Sequence, residues 1–255
     1  MIDWSALTLF LFIAMRMSGF VLFNPIFGRT GIPAAFQAGF VVMLSWVTYS
    51  VYGGSVVVPA TLLGLGLKLV LELGVGFLIG IAMRFFFYIP DQAGELIDMQ
   101  MGMSMARTYD PTSQSQATPT ANLMNILALL LFFAANGHIT LLRLMLTSGD
   151  VVPFGTAMLG RQAAEHMVEL FAECVLLAVK LSFPIVGAEL LGQVGMGVLM
   201  KAIPQINVFV INIELKVLIG LIMLLFLITP MSEFLLEAES LMLEELHNLL
   251  TLAGG

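Results

Sequence analysis

The sequence predicts an all-α, membrane-associated protein, and three observations carry that prediction. Hydrophobic residues fill 59% of the 255 positions and charged residues only 11%, against about 25% charged in a soluble domain. Mean hydropathy is +1.00. Six apolar runs follow one another, each near the ~20 residues a helix needs to cross a ~30 Å hydrocarbon core.

In order, the runs cover about 5–23, 35–52, 61–87, 123–146, 168–191 and 208–229. Asn24-Pro25 and Gly31-Ile32-Pro33 punctuate the first gap, and Gly53-Gly54 and Pro59 the second. Pro153, Gly155 and Gly160 mark the fourth gap, Pro204 marks the fifth, and Pro230 is expected to end the last run. No repeat or low-complexity segment interrupts this pattern, so residues 1–255 read as one domain. The N-terminus MIDWSALTLF lacks a basic region and carries Asp3, so no cleaved leader is expected.

Composition also excludes function classes. The net charge is −7 with no basic run, which argues against nucleic acid as a partner. Cys174 is alone in an apolar segment, so neither a disulfide framework nor a cysteine metal site is available. His138, His166 and His247 lack ligand spacing, and no metal or other cofactor is expected. His138 follows Asn136-Gly137 inside run four and reads as a hydrogen-bonded structural residue. No phosphate loop or dinucleotide fingerprint occurs. Gly102-Met103-Ser104 has a superficial likeness to an intramembrane serine nucleophile, but no base stands near it. The chain is expected not to be an enzyme.

If every run crosses, both termini share one side. Arg29, Arg107 and Lys201 then lie in the odd gaps and favour the cytoplasm there. The runs are not clean lipid-facing helices. Arg16, Lys68, Glu72, Arg84, Arg143, Glu173, Lys180, Glu189, Glu214 and Lys216 lie within them or at their ends. Each charge at the bilayer centre costs about 2.5–3.5 kcal/mol on insertion scales, so these residues are expected to meet other subunits or water. Lys68 and Glu72, four apart on one helix face, are expected to form a buried charge pair; it reads as a structural salt bridge, with a transport role the alternative. Gly76 and Gly80 form a G-x-x-x-G that suits close helix packing, within the chain or between subunits.

The polar stretch from Tyr88 to Asn122 is the most informative part of the chain. It is longer than a connector needs to be. It holds Asp91, Glu95, Asp98 and Asp110, the lone Arg107, and Pro90, Pro111 and Pro119. Non-helical backbone at membrane depth survives only against protein or water, so the stretch is expected to line or plug a pathway. Met99, Met101, Met103 and Met105 alternate through it. On an extended segment they would line one face; on a helix they would form two i,i+4 pairs. They read either as core filling or as a deformable seal around a varying substrate.

Several motifs in order resemble the FliR/SctT family of type III protein-export membrane subunits. They are Arg16-Met17-Ser18-Gly19, the Asn24-Pro25…Gly31-Ile32-Pro33 connector, GELIDMQMGMSMARTYDP (94–111) and Asn136-Gly137-His138. Gly197-Val198-Leu199-Met200-Lys201-Ala202-Ile203-Pro204-Gln205-Ile206-Asn207 is the strongest, followed by Glu214-Leu215-Lys216 and Gly220. The resemblance spans nearly the whole chain. It implies bent helical hairpins packed in a superhelical hetero-oligomeric export gate, so six apolar runs need not be six lipid-facing spans. It implies a FliP-like part over 1–190 and a FliQ-like hairpin over 191–255. It implies FliP and FliQ homologues as partners, contact with FlhB and FlhA, and passage of unfolded flagellar proteins across the bacterial inner membrane at the basal body. An injectisome gate subunit is the alternative, and a small-solute secondary transporter a more distant one. The family's plug maps to about 107–122, with Arg107, Tyr109, Asp110, Pro111, Thr112, Ser113, Gln114 and Pro119. Lys201, Pro204, Gln205 and Asn207 would form a turn at the cytoplasmic mouth.

Overall fold

Asp3 starts the first helix, α1 (Trp4–Phe23), by accepting hydrogen bonds from the Ser5 hydroxyl at 2.7 Å and the Ser5 N–H at 3.0 Å. These bonds and one from the Ala6 N–H hold its carboxyl below the usual carboxylate range. Asn24 ends α1. Its Oδ1 accepts from the Ile26 and Phe27 N–H groups at 2.8 and 3.1 Å, and its Nδ2 donates to Met83 Sδ at 3.0 Å. The Asn24-Pro25 punctuation is thus a buried, side-chain-built turn.

This computed structural model describes residues 3–28, 31–105, 108–110, 115–202 and 208–254. After α1 come α2 (Ala34–Val51), α3 (Leu62–Met101) and a 3₁₀ turn (Met103–Met105). Strands β1 (Thr108–Asp110) and β2 (Ser115–Ala117) follow, then α4 (Pro119–Ala134), α5 (Gly137–Leu146) and the short α6 (Ser148–Val151). Two long helices, α7 (Arg161–Ala202) and α8 (Val208–Leu252), complete the order. The all-α expectation stands, with one small hairpin added. Among the described residues, five helices are long and apolar enough to cross a membrane, and α4 with α5 can count as a sixth, broken span.

Helix α7 extends beyond its apolar run at both ends, and three other boundaries also differ from the sequence expectations. Helix α3 runs through the first part of the polar stretch to Met101, because Ile89, Ala93, Ile97 and Met101 recur every four residues on a buried stripe. Helix α8 continues past Pro230 to Leu252. A proline inside a helix costs about 3 kcal/mol, but Met231, Leu235, Ala238, Met242, Leu246 and Leu249 bury a helical stripe beyond it. Run four is broken at Asn136, whose φ of 61° is left-handed, a conformation asparagine adopts more readily than most residues. Helices α3, α7 and α8 are 40, 42 and 45 residues long, each with one interior proline (Pro90, Pro184, Pro230). At 1.5 Å per residue they are roughly twice the length a bilayer core requires.

The chain forms two units. Unit 1 comprises residues 1–86, 136–172 and 239–255. Its core joins Phe12, Ile13, Met17 and Phe20 of α1 to Val75, Ile79 and Met83 of α3, with Leu141, Met145, Leu246 and Leu250. Helices α1 and α3 cross at glycines. A Cβ on Gly76 would fall on the Arg16 carbonyl oxygen and lie 2.6 Å from the Phe20 nitrogen, and one on Gly19 would fall on the Leu73 carbonyl oxygen. Phe23 and Phe77 stack edge-on beside this crossing, 4.6 Å apart. The G-x-x-x-G therefore serves intrachain packing, its second glycine, Gly80, lying against Phe23 and Asn24. Gly76→Ala should force the two backbones apart and cost about 1–3 kcal/mol, as overpacking does. The check is the thermal midpoint of the purified membrane assembly, and an unchanged midpoint would contradict the crossing.

Unit 2 comprises residues 87–135 and 173–238. Its core takes the α3 stripe together with Ala121, Met124 and Phe132 of α4. Ala178, Leu181 and Ile185 of α7 and Leu224, Met231 and Leu235 of α8 complete it. A Cβ on Gly220 of α8 would meet the Met101 side chain, and one on Gly192 of α7 would lie 2.8 Å from Ile219 Cδ1.

Candidate functional site

The polar segment is a β-hairpin on a two-helix stem, all within unit 2. The stem is made of the last turns of α3 and the first turns of α4. Gly94 lets the two backbones touch, since a Cβ there would fall on Ala121. The buried Asp98 carboxylate accepts from the Thr120 N–H at 2.7 Å and from the Thr120 hydroxyl at 2.6 Å. Thr118, the N-cap of α4, makes no side-chain cap of its own, so Asp98 supplies the cap from the neighbouring helix. A carboxylate here also complements the positive end of the α4 dipole. One turn on, Asn125 Nδ2 donates to Asp91 Oδ1 at 2.8 Å.

Beyond the stem the chain leaves α3 through Gly102, whose φ of +80° suits glycine, into the 3₁₀ turn. Strands β1 and β2 pair antiparallel, with Thr108 opposite Ala117, Tyr109 opposite Gln116 and Asp110 opposite Ser115. Tyr109 and Asp110 thus belong to β1. Arg107, Pro111, Thr112, Ser113 and Gln114 lie outside the described residues. The end of the expected 107–122 segment is helical. Pro119 is the first residue of α4, and the turn it opens is tied down by Asp98.

The methionines share neither expected arrangement, because Gly102 separates the end of α3 from the 3₁₀ turn. Met99 is 63% exposed and Met101 fully buried against Gly220. Met103 is half-buried, and the Met105 side chain is outside the described residues. Met101 is therefore a core residue.

Unit 1 holds a buried charge centre, and its partners correct the expected Lys68–Glu72 pair. Arg16 Nε donates to Glu72 Oε2 at 2.7 Å, with both side chains fully buried. The Gly155 N–H donates to the other carboxylate oxygen at 2.6 Å. Arg16 Nη1 donates to the Ser148 carbonyl and hydroxyl oxygens at 3.1 and 3.2 Å, and the guanidinium lies 4.2 Å over the Phe154 ring. Among the described residues Arg16 Nη2 has no hydrogen-bond partner. Glu72 faces inward to α1 with both oxygens used, while the half-buried Lys68 makes no ion pair with it. Arginine suits this place because its planar fork reaches a carboxylate and a carbonyl at once.

The family model for bacterial export proteins, family 1, matches residues 7–241. The chain belongs to that family. The match takes in Arg16, Glu72, the stem and the hairpin. The chain is 28% identical over 250 residues to the flagellar biosynthetic protein FliR of Bacillus subtilis (strain 168), covering 96% of this chain and 95% of that one. It is 28% identical over 234 residues to the FliR protein of Escherichia coli (strain K12), covering 91% and 89%. Against the Yop proteins translocation protein T of Yersinia pestis it is 26% identical over 182 residues, covering 70% and 69%. This family-1 export protein is thus a FliR/SctT relative, and its apolar helices make it a membrane protein.

Of this export protein's expected mouth turn, Lys201 is exposed at the end of α7, and Pro204, Gln205 and Asn207 lie outside the described residues. The stem's Asp98 was not among the expected site residues. Its signal was present: an acid on the buried side of a helical stripe, followed by the T-P-T that opens the next helix.

Proposed function

We propose that this chain is a channel-core subunit of the flagellar type III export gate, passing unfolded flagellar proteins across the bacterial inner membrane with FliP and FliQ homologues. The observation that carries this reading is the near-full-length match to two proteins named flagellar biosynthetic protein FliR. FlhB and FlhA homologues are the further partners, residues 191–255 the FliQ-like hairpin, and the flagellar basal body the location. The β-hairpin is the resting plug. The match to the Yop proteins translocation protein T favours an injectisome gate as the second reading.

The exposed charges support an assembly. Arg84, Arg143, Glu173, Lys180 and Glu214 lie exposed on helices otherwise apolar enough to cross a membrane or form part of a broken span. Against lipid each would cost about 2.5–3.5 kcal/mol at the bilayer centre, so partner subunits or water must face them. A tagged copy purified from its own cell in mild detergent should carry the FliP and FliQ homologues, identified by mass spectrometry. Recovery of injectisome components instead would support the second reading. A stable lone monomer would overturn both readings and favour a secondary transporter.

A further inference from the structure

On α7 the buried stripe of unit 2 runs Cys174, Ala178, Leu181, Ile185, and its next position is Glu189. Glu189 is 0% exposed, and among the described residues neither carboxyl oxygen has a hydrogen-bond partner. Its neighbours are on α8. The field of Lys216 acts on it, and the Gly220 N–H lies nearby without reaching hydrogen-bond geometry. Lys216 is half-buried and makes no ion pair with Glu189. From α3, Met101 fills the notch at Gly220, and the acid one turn earlier, Asp98, is committed to Thr120. On α7 itself, Glu173 and Lys180 are exposed. No cation in this group neutralises Glu189 directly.

We propose that Glu189 is a proton-binding site whose carboxyl is carried as the neutral acid while α7 and α8 stay packed. An ionised carboxylate without a partner is among the costliest groups to bury, and taking up a proton removes the charge without moving either helix. Release breaks the O–H bond, leaves the electron pair on the carboxylate and passes the proton to water. The carboxylate left behind needs a new partner, either Lys216 or water admitted between the helices. Gly192 against Ile219 and Gly220 against Met101 are the contacts that would then have to loosen. Proton occupancy at Glu189 is therefore tied to how closely α7 and α8 pack. This site was visible in the sequence only as one of ten charges on apolar runs. Its place on the core stripe singles it out.

Infrared difference spectroscopy on the protein in its purified membrane assembly at neutral pH tests this. Wild type should show the carbonyl band of a protonated carboxyl, and Glu189→Gln should lose it. Should that variant fail to assemble, Glu189→Asp assigns the band by shifting it, and Lys216→Gln then tests for an ion pair. A neutral acid needs no lysine, so the Lys216→Gln protein should show the same carboxyl band as wild type. An ion pair predicts the reverse: no band in wild type and a new one in Lys216→Gln, which would overturn the proposal. An unchanged spectrum in an assembled Glu189→Gln variant would overturn it as well.

Discussion

Replacing Glu72 by alanine should strip most of this protein from the membrane, whereas Lys68→Ala should leave its level near wild type. The difference follows from where the charge sits. Glu72 neutralises a fully buried Arg16 and also accepts the Gly155 N–H, so its loss leaves an uncompensated guanidinium in the core of unit 1. Removing one partner of a buried ion pair costs about 3–5 kcal/mol, a large part of a total stability of about 5–15 kcal/mol. Lys68 holds nothing that the structure shows, and a substitution of that kind stays within about 0.5 kcal/mol. Arg16→Ala should match Glu72→Ala, since either change orphans the other charge. Arg16→Met with Glu72→Leu should recover part of the loss, because it leaves no buried charge, although the Gly155 N–H and the Ser148 oxygens then lose their partners. The measurement is the amount of protein in membranes after translation is stopped. Equal losses for Lys68→Ala and Glu72→Ala would restore the helix-face pair read from the sequence.

That pair shows where sequence reading stops. Lys68 and Glu72 are four apart, and local spacing is all a sequence displays. Arg16 lies 56 residues from Glu72, and Ser148 lies 132 residues from Arg16. The α1–α3 crossing at Gly19 and Gly76 brings Arg16 and Glu72 together, and the sequence shows those glycines without their partners. Helices were legible because twenty apolar residues in a row have few other uses. Their ends were less so. Pro230 carries a strong stop signal, but burial further along α8 outweighs it. In the polar stretch, acids and Pro90 obscure a clean four-residue repeat, so the sequence leaves helix and extended segment both open there. Alternation suggested that the four methionines act together, until the turn at Gly102 separated them.

Excising residues 103–117 and closing the gap with a short flexible linker should leave the assembly intact and make the membrane leak. The stem explains why assembly survives. Asp98 holds the first turn of α4 from α3, Asn125 holds Asp91, and Gly94 lies against Ala121, all outside the excised part. The ends to be joined are therefore already neighbours. Leakage follows from the proposed plug: a hairpin with two strands of three residues has few backbone bonds of its own, each worth about 0.5–1.5 kcal/mol net, so it can be displaced by an arriving polypeptide and contributes little to the stability of unit 2. Asp98→Ala tests the stem from the other side. It removes two hydrogen bonds to a charged group, worth roughly 1.5–3 kcal/mol each. The hairpin then keeps its sequence but loses its fixed base, and leakage should rise above wild type without reaching that of the excision. Conductance of membranes carrying the assembled complex reads both changes. A fully assembled excision variant as tight as wild type would show that the hairpin does not close the channel, whatever Asp98→Ala does.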